Sequence, residues 1–251
     1  VALPLLPEGA QTWLPVLAWL CLGNILYCGL VAMRQKDLNQ LIGNSSVAHM
    51  GFVFLGIASL TTIGLTGAVM VMFAHGLLAA LAFGLSGYLY TQTRTLDMDK
   101  VGGLLKGMPF WGTAMIMALL AGCGLPGFAN FAGEITVFFG AWSIPAIETG
   151  QSLTHPLQEY SLQFRVITII AIWSALVIGA VYMLRAIRNL LHGEPDADAP
   201  KAEDITHWKK LPYALLIGVL LLFGCYPKLL TEKINTASKS IQQAVQSNYN
   251  R

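Results

Sequence analysis

Charged side chains make up only 11% of the 251 residues, well under the share of about 25% in soluble domains. With a mean hydropathy of +0.60 and apolar runs of membrane-spanning length, that scarcity excludes an ordinary soluble fold. It specifies an all-α, polytopic membrane helix bundle. The net charge of +2, without any basic and aromatic surface pattern, gives no footing for nucleic acid as a partner. Cysteine is scarce too. Cys21, Cys28, Cys123 and Cys225 stand singly in apolar stretches without CxxC spacing. They read as small hydrophobes and supply neither a disulfide framework nor a metal or iron–sulfur site. There is no P-loop, no GxGxxG after a strand and no nucleophile elbow, so no cofactor is expected in the chain. No methionine and no basic segment lead into the first apolar run. A cleavable secretory signal is therefore not expected, and the start reads as the middle of something longer.

Apolar runs are what the chain has in plenty. A spanning helix needs about 20 such residues, which places spans near 13–33, 42–61, 66–91, 164–187 and 211–230 of a single membrane domain, 1–251. A polar C-terminal tail follows at 231–251. The region 109–147 fits badly: 39 residues are too many for one straight span and scarcely enough for two with a turn. If it crosses once, ten basic residues share one side: Arg34, Lys36, Arg94, Lys100, Lys106, Arg185, Arg188, Lys201, Lys209 and Lys210. Five, namely Arg165, Lys228, Lys233, Lys239 and Arg251, lie on the other. If it crosses twice, the split changes little, so positive-inside bias barely discriminates. Single crossing also leaves a neutral Thr61–Thr62 turn and an acidic Glu148–Glu159 loop outside, and it is preferred on that ground. The region would then be one discontinuous helix, interrupted in "GLPGFANFAGE" (Gly124 to Glu134) around Pro126. Breaks at membrane depth persist only where protein or a wet cavity receives the freed backbone groups. A tight hairpin at Pro126–Gly127 is the alternative.

Few side chains within the spans can titrate. They are His49 in "NSSVAHMGF", His75 in "VMFAHGLLAA" and Glu134 in "NFAGEITVFF". Ionisable groups in lipid mark pathways or relays by default. Histidine suits proton transfer because its ordinary pKa near 6.5 makes both forms accessible. At about 1.5 Å per residue, His49 lies roughly 10 Å into its span and His75 roughly 14 Å into the next, entered from the other side. Both approach the middle of a core about 30 Å thick, with Ser45, Ser46 and Asn130 placed to hold water beside them. The bland readings are a histidine bonded to a neighbouring carbonyl and a Glu134 paired for structure alone. Three such groups at similar depth favour a relay. No lysine lies inside any span, so the constellation is half complete.

The stretches "QKDLNQLIGNSSVAHMGF", "FAHGLLAALAF", "LDMDKVGGLLKGMP" and "GLPGFANFAGE" occur in the order found in the antiporter-like subunit M (mitochondrial chain 4) family of NADH:quinone oxidoreductase, respiratory complex I. The chain resembles that family across most of 1–147, and more loosely through "VYMLRAIRNLLHG" to "GCYPKLL". The resemblance implies a fold of fourteen membrane helices containing two inverted five-helix repeats, each with one broken helix. This chain looks like the last six helices, the second half of that inverted-repeat fold. Glu134 would be the charged residue beside the second break, and His49 and His75 the central-axis histidines. The family's buried lysines and first-repeat glutamate would lie upstream of Val1. Where the family usually reads D-L-K, this chain has Asp37-Leu38-Asn39, which puts the proton-entry side in question.

The resemblance implies a proton-translocating membrane-arm subunit that is part of an enzyme but carries no redox centre. Its partners would be the other membrane-arm subunits, lipids and whatever supplies the N-terminal helices. Its place would be a bacterial cytoplasmic membrane or the mitochondrial inner membrane. The rival readings are an antiporter-like subunit of a membrane-bound hydrogenase or cation/proton antiporter complex, and an inert structural scaffold.

Overall fold

A computed structural model describes residues 7–144, 160–192 and 202–249; the acidic Glu148–Glu159 loop lies outside them. The described residues form eight principal helices: α1 (Pro7–Arg34), α2 (Leu38–Ala58), α3 (Thr62–Thr93), α4 (Pro109–Gly122), α5 (Ala129–Trp142), α6 (Ser161–Leu191), α7 (His207–Cys225) and α8 (Lys228–Tyr249). Five of them, α1, α2, α3, α6 and α7, are long and apolar enough to cross a membrane. Helix α6 is widened by a π-helical turn at Ser174–Ile178.

Local chemistry sets the helix ends. Asp37 caps α2, its side chain accepting from the Gln40 amide at 3.0 Å. Thr61 caps α3 through the Gly64 amide at 3.0 Å. Both satisfy donors that a helix start leaves unpaired. Helix α4 begins with Pro109 and borrows its cap: Asp204, far along the chain, accepts from the Phe110 and Trp111 amides at 3.0 and 3.1 Å. A short antiparallel bridge joins the α1–α2 turn to the segment after α3, with Leu38 N donating to Leu96 O and Met98 N to Lys36 O, both at 2.9 Å. Lys36 and Asp99 close the same corner at 2.8 Å. The Arg185 guanidinium reaches it from α6, donating to the carbonyls of Met33 and Gln35.

The chain between 109 and 142 crosses once. Its residues meet α3 in strictly reversed order, from Leu85 back to the N-cap residue Thr61. Trp111 Nε1 donates to Leu85 O at 2.8 Å, and Gly122 lies by Leu78. Gly133 then lies against Val71, Gly67 against Val137, and Thr61 Oγ1 donates to Gly140 O at 3.1 Å. A hairpin would have reversed that order halfway. Each half is 14 residues, about 21 Å, and neither alone spans a core of about 30 Å. Between them Gly124 (φ +72°) and Gly127 (φ +106°) adopt backbone conformations that side chains resist, and Pro126 forbids a continuous ladder. A Cβ on Gly67 would meet the Val137 amide at 2.5 Å, and one on Gly133 the Val71 amide at 2.9 Å. Small residues thus let α3 and α5 approach backbone to backbone, as membrane helices do where the hydrophobic effect cannot drive association.

Two apolar clusters fill the bundle. One gathers at the end bearing the Asp37–Asp97 bridge, around Leu38, Leu89, Met108 and Trp111. The other gathers at the opposite end, around Leu55, Leu60, Val137 and Phe164. Helix α7 packs on the flank of the first cluster, burying Leu220 in it, and also touches the bundle through Tyr213 OH donating to Gly84 O at 3.3 Å and a Phe223–Phe73 ring contact at 5.2 Å. Its Gly224 presses on the α4–α5 break at Gly127. Helix α8 follows Pro227 and packs by buried Ser238 and Gln242 against the start of α3, where the Thr62 hydroxyl donates to Gln242.

Candidate functional site

The ionisable side chains lie between the two apolar clusters. On α2, Ser45, Ser46 and His49 fall within one turn, three and four residues apart, and so share a face. Helix α3 presents His75 to that face, and α5 presents Glu134 from the turn after the break. Every one of these elements is fixed by packing already described, so the polar atoms converge on a rigid frame.

Glu134 Oε1 stands 3.0 Å from His49 Nδ1, and both side chains are only 6% exposed. The approach is close enough for an ion pair but poorly aligned for a hydrogen bond. Glu134 Oε1 and both His49 nitrogens consequently have no hydrogen-bond partner among the described residues. Glu134 Oε2 lies 2.9 Å from where a Cβ on Gly124 would sit. That position therefore needs glycine twice, for its positive φ and for the carboxylate folded against it. The His49 and His75 rings are 5.1 Å apart, centroid to centroid, and tilted by 39°. Ser46 Oγ meets His75 Nε2 at 2.6 Å. Glu134, His49, His75 and Ser46 thus lie in file across α5, α2 and α3, with one hydrogen bond among them, between Ser46 and His75.

Two cavities flank the line, each with room for about one water molecule. The first is lined by His49, Glu134, Cys123 and Tyr182, with the π turn of α6 as its wall. The second is lined by Ser45, Ser46, His49, His75 and Met183. Toward the bridge end of the same α2–α3 seam, Ser86 Oγ donates to Asn39 Oδ1 at 2.5 Å. Asn39 is thereby tied to α3 by a neutral bond. Asn130 is fully buried with neither amide atom partnered among the described residues, and it lines neither of these two cavities. Pro126 sits in the break itself.

Sequence reasoning missed Tyr182, whose hydroxyl lies 3.0 Å from Ser45 Oγ, and Cys123, which opens onto Glu134's cavity. A tyrosine and a cysteine in apolar runs carry no distinguishing pattern, and the π turn that aims Tyr182 has no sequence signature. All four cysteines are free. Among the described residues no three His, Cys, Asp or Glu side chains gather as a metal-binding group.

Electrostatics at the bridge end are those of a wetted surface. The Lys36 hydrogen bond and charge hold the Asp99 carboxyl below its ordinary range, and Asp99 raises Lys36 in turn. Burial works to raise Asp204, but the amides of Trp111, Phe110 and Ile205 and the Lys210 charge outweigh it and hold the carboxyl low.

The line's chemistry follows from its composition. A buried lone carboxylate is costly, and His49, 3.0 Å away, is the neighbour that can offset that cost for Glu134.

Residues 1–149 match the family described as NADH:quinone oxidoreductase/Mrp antiporter, TM. The chain is 36% identical over 251 residues to NAD(P)H-quinone oxidoreductase chain 4 1 of Synechococcus elongatus, covering 97% of this chain and 43% of that protein. It is 35% identical over 242 residues to chain 4 3 of Trichormus variabilis, covering 94% and 42%. The chain thus spans less than half the length of the curated relatives it matches. Among solved structures, respiratory complex I from Thermus thermophilus with bound NADH superposes at a TM-score of 0.80 with 25% identity, over 95% of this chain and 46% of that one. The Mrp complex from Dietzia sp. shares the fold at a TM-score of 0.77 and 19% identity, over 95% and 50%. An all-helical bundle with a broken helix at Gly124–Phe128, matched along most of its length, belongs to the NADH:quinone oxidoreductase/Mrp antiporter transmembrane family.

Proposed function

We propose that this chain is the C-terminal part of a proton-translocating membrane-arm subunit of an NADH:quinone oxidoreductase in a bacterial membrane. The observation that carries the reading is the buried line Glu134, His49, His75, Ser46, held between two apolar clusters beside a helix break. Higher identity to chain 4 relatives than to the Mrp structure favours this over a cation/proton antiporter subunit. The upstream helices found in longer relatives would pack against α1–α3, and the other membrane-arm subunits would complete the assembly.

Protons enter at the Asn39–Ser86 end, reach His75 with Ser46, and pass through His49 to Glu134. Redox chemistry elsewhere in the complex supplies the drive as a change in charge nearby. At an effective dielectric constant of about 20, a unit charge arriving about 10 Å from one of these groups changes the energy of a proton on it by about 1.7 kcal/mol.

The test is Glu134→Gln in the full-length chain, assembled in its complex and reconstituted into proteoliposomes. The amide keeps the shape but cannot carry a proton, so pumping is expected to fall by about tenfold or more. An assembled variant that pumps at the parental rate and proton-to-electron ratio overturns the reading.

A further inference from the structure

The two cavities beside the relay touch each other in two ways. His49 is the one residue that lines both. A few ångströms away, Tyr182 lines the first with Glu134, and Ser45 lines the second with Ser46 and His75. The two hydroxyls meet through the wall at 3.0 Å. Both residues are buried, Tyr182 to 4% and Ser45 to 2% exposure. We infer that Tyr182 and Ser45 form a second, hydroxyl branch of the proton path, running parallel to His49 between the Glu134 cavity and the His75 cavity. The inference rests on the relay reading above and adds a route that family resemblance did not supply.

The two branches differ in chemistry. His49 can hold a proton, because imidazole and imidazolium are both accessible near neutral pH. A phenol and an alcohol ionise only far from neutrality, the phenol near pH 10, so the hydroxyl branch must conduct by concerted exchange. As a water in the second cavity delivers a proton to Ser45 Oγ, Ser45 passes its own proton to Tyr182 Oη. Tyr182 gives its proton to a water in the first cavity, beside Glu134. One O–H bond forms and one breaks at each oxygen, and both residues end neutral. The hydroxyls must then turn before the next transfer. The reverse order runs the opposite way with the same balance.

Geometry also explains why the branch is built here. Ser45 lies one turn from His49 on α2 and does not line the Glu134 cavity. The ring of Tyr182 spans that gap from α6.

Parallel and serial arrangements give opposite double-variant behaviour. In the full-length chain within the assembled complex, Tyr182→Phe keeps the ring and removes the hydroxyl. Proton pumping is expected to fall by about a fifth for Tyr182→Phe and about fivefold for His49→Gln, with the double variant about tenfold below the product of the two. Ser45→Ala should repeat Tyr182→Phe, and the pair Ser45→Ala with Tyr182→Phe should be no worse than either alone, since they share one branch. Native gels establish that each variant assembles. The solvent deuterium isotope effect on pumping should rise in His49→Gln, where every proton crosses two hydroxyls, and packing alone would not move it. A double variant at or above the product, or an unchanged isotope effect, overturns the branch. If Glu134→Gln pumps normally, the relay reading falls. If Glu134→Gln fails to pump while no synergy appears, only the branch falls.

Discussion

Helices α2 and α7 share one mean hydropathy, yet 61% of α2's apolar window is buried inside the protein and only 6% of α7's. Hydropathy measures how well a segment tolerates lipid and says nothing about which face meets protein. The difference lies in where polarity sits. In α2 the polar side chains Ser45, Ser46 and His49 fall on the inner face, where lipid is excluded. In α7 the polar contacts lie toward the ends: Tyr213 at one, Gly224 and Cys225 at the other. One helix turns its polar side chains into the bundle and the other braces the bundle from its flank.

The sharpest way to break this contrast is at glycine. A Cβ on Gly51 of α2 would meet Ile25 Cγ1 at 2.5 Å and Cys21 O at 3.1 Å, whereas one on Gly218 of α7 meets nothing within 4 Å. Gly51→Val is expected to cost about 3 kcal/mol through overpacking and to deplete the assembled complex on native gels. Gly218→Val should leave its amount unchanged. Equal effects would show that α7 is packed as tightly as α2.

The next contrast concerns function. Ser46→Ala removes the partner of His75 Nε2 and should slow pumping about fivefold, the worth of one hydrogen bond of about 1 kcal/mol. Tyr213→Phe removes the α7 bond to Gly84 O and should leave the pumping rate alone. A smaller effect sits where α7 begins. Asp204→Ala strips the borrowed cap from α4 and should cost under about 1 kcal/mol at neutral pH. The Asp204 carboxyl is held below its ordinary value in the folded chain, so its contribution is present above pH of about 4 and lost as pH falls through the lowered value. Melting curves of parent and variant should therefore converge below that pH. Smallest of all is Asp99→Asn. The Lys36–Asp99 pair is exposed, and removing it should leave the melting temperature within error.

What could be read in advance follows the same contrast. The break at Gly124–Gly127 announces itself because glycine and proline are costly inside a helix. His49, His75 and Glu134 stand out because charge is costly in lipid. Both signals are local penalties written in single residues. The hydrogen bonds that Asp204 accepts from α4 span more than ninety positions, and the meeting of Tyr182 with Ser45 spans 137. Such pairings depend on which faces turn toward each other, and an all-round apolar helix leaves that unspecified. The charge split could not decide the crossing of 109–147 either. Contact order against α3 decides it, because only a single crossing meets α3 from Leu85 back to Thr61 without turning.

The π turn at Ser174–Ile178 makes α6 a helix whose length in residues matters more than its composition. A wide turn of this kind accommodates one residue beyond the α-helical count, and one residue corresponds to about 100° of rotation around the axis. Everything after Gly179 is therefore set in phase by that single surplus position. Removing Ala175 would let the turn relax to ordinary pitch and swing both Tyr182 and Arg185 away, the first from Ser45 and the second from the Met33 and Gln35 carbonyls. Substitutions within the turn change only a wall of the cavity. A one-codon deletion there would misdirect two residues up to ten positions downstream, so this helix should tolerate drift in sequence far better than drift in length.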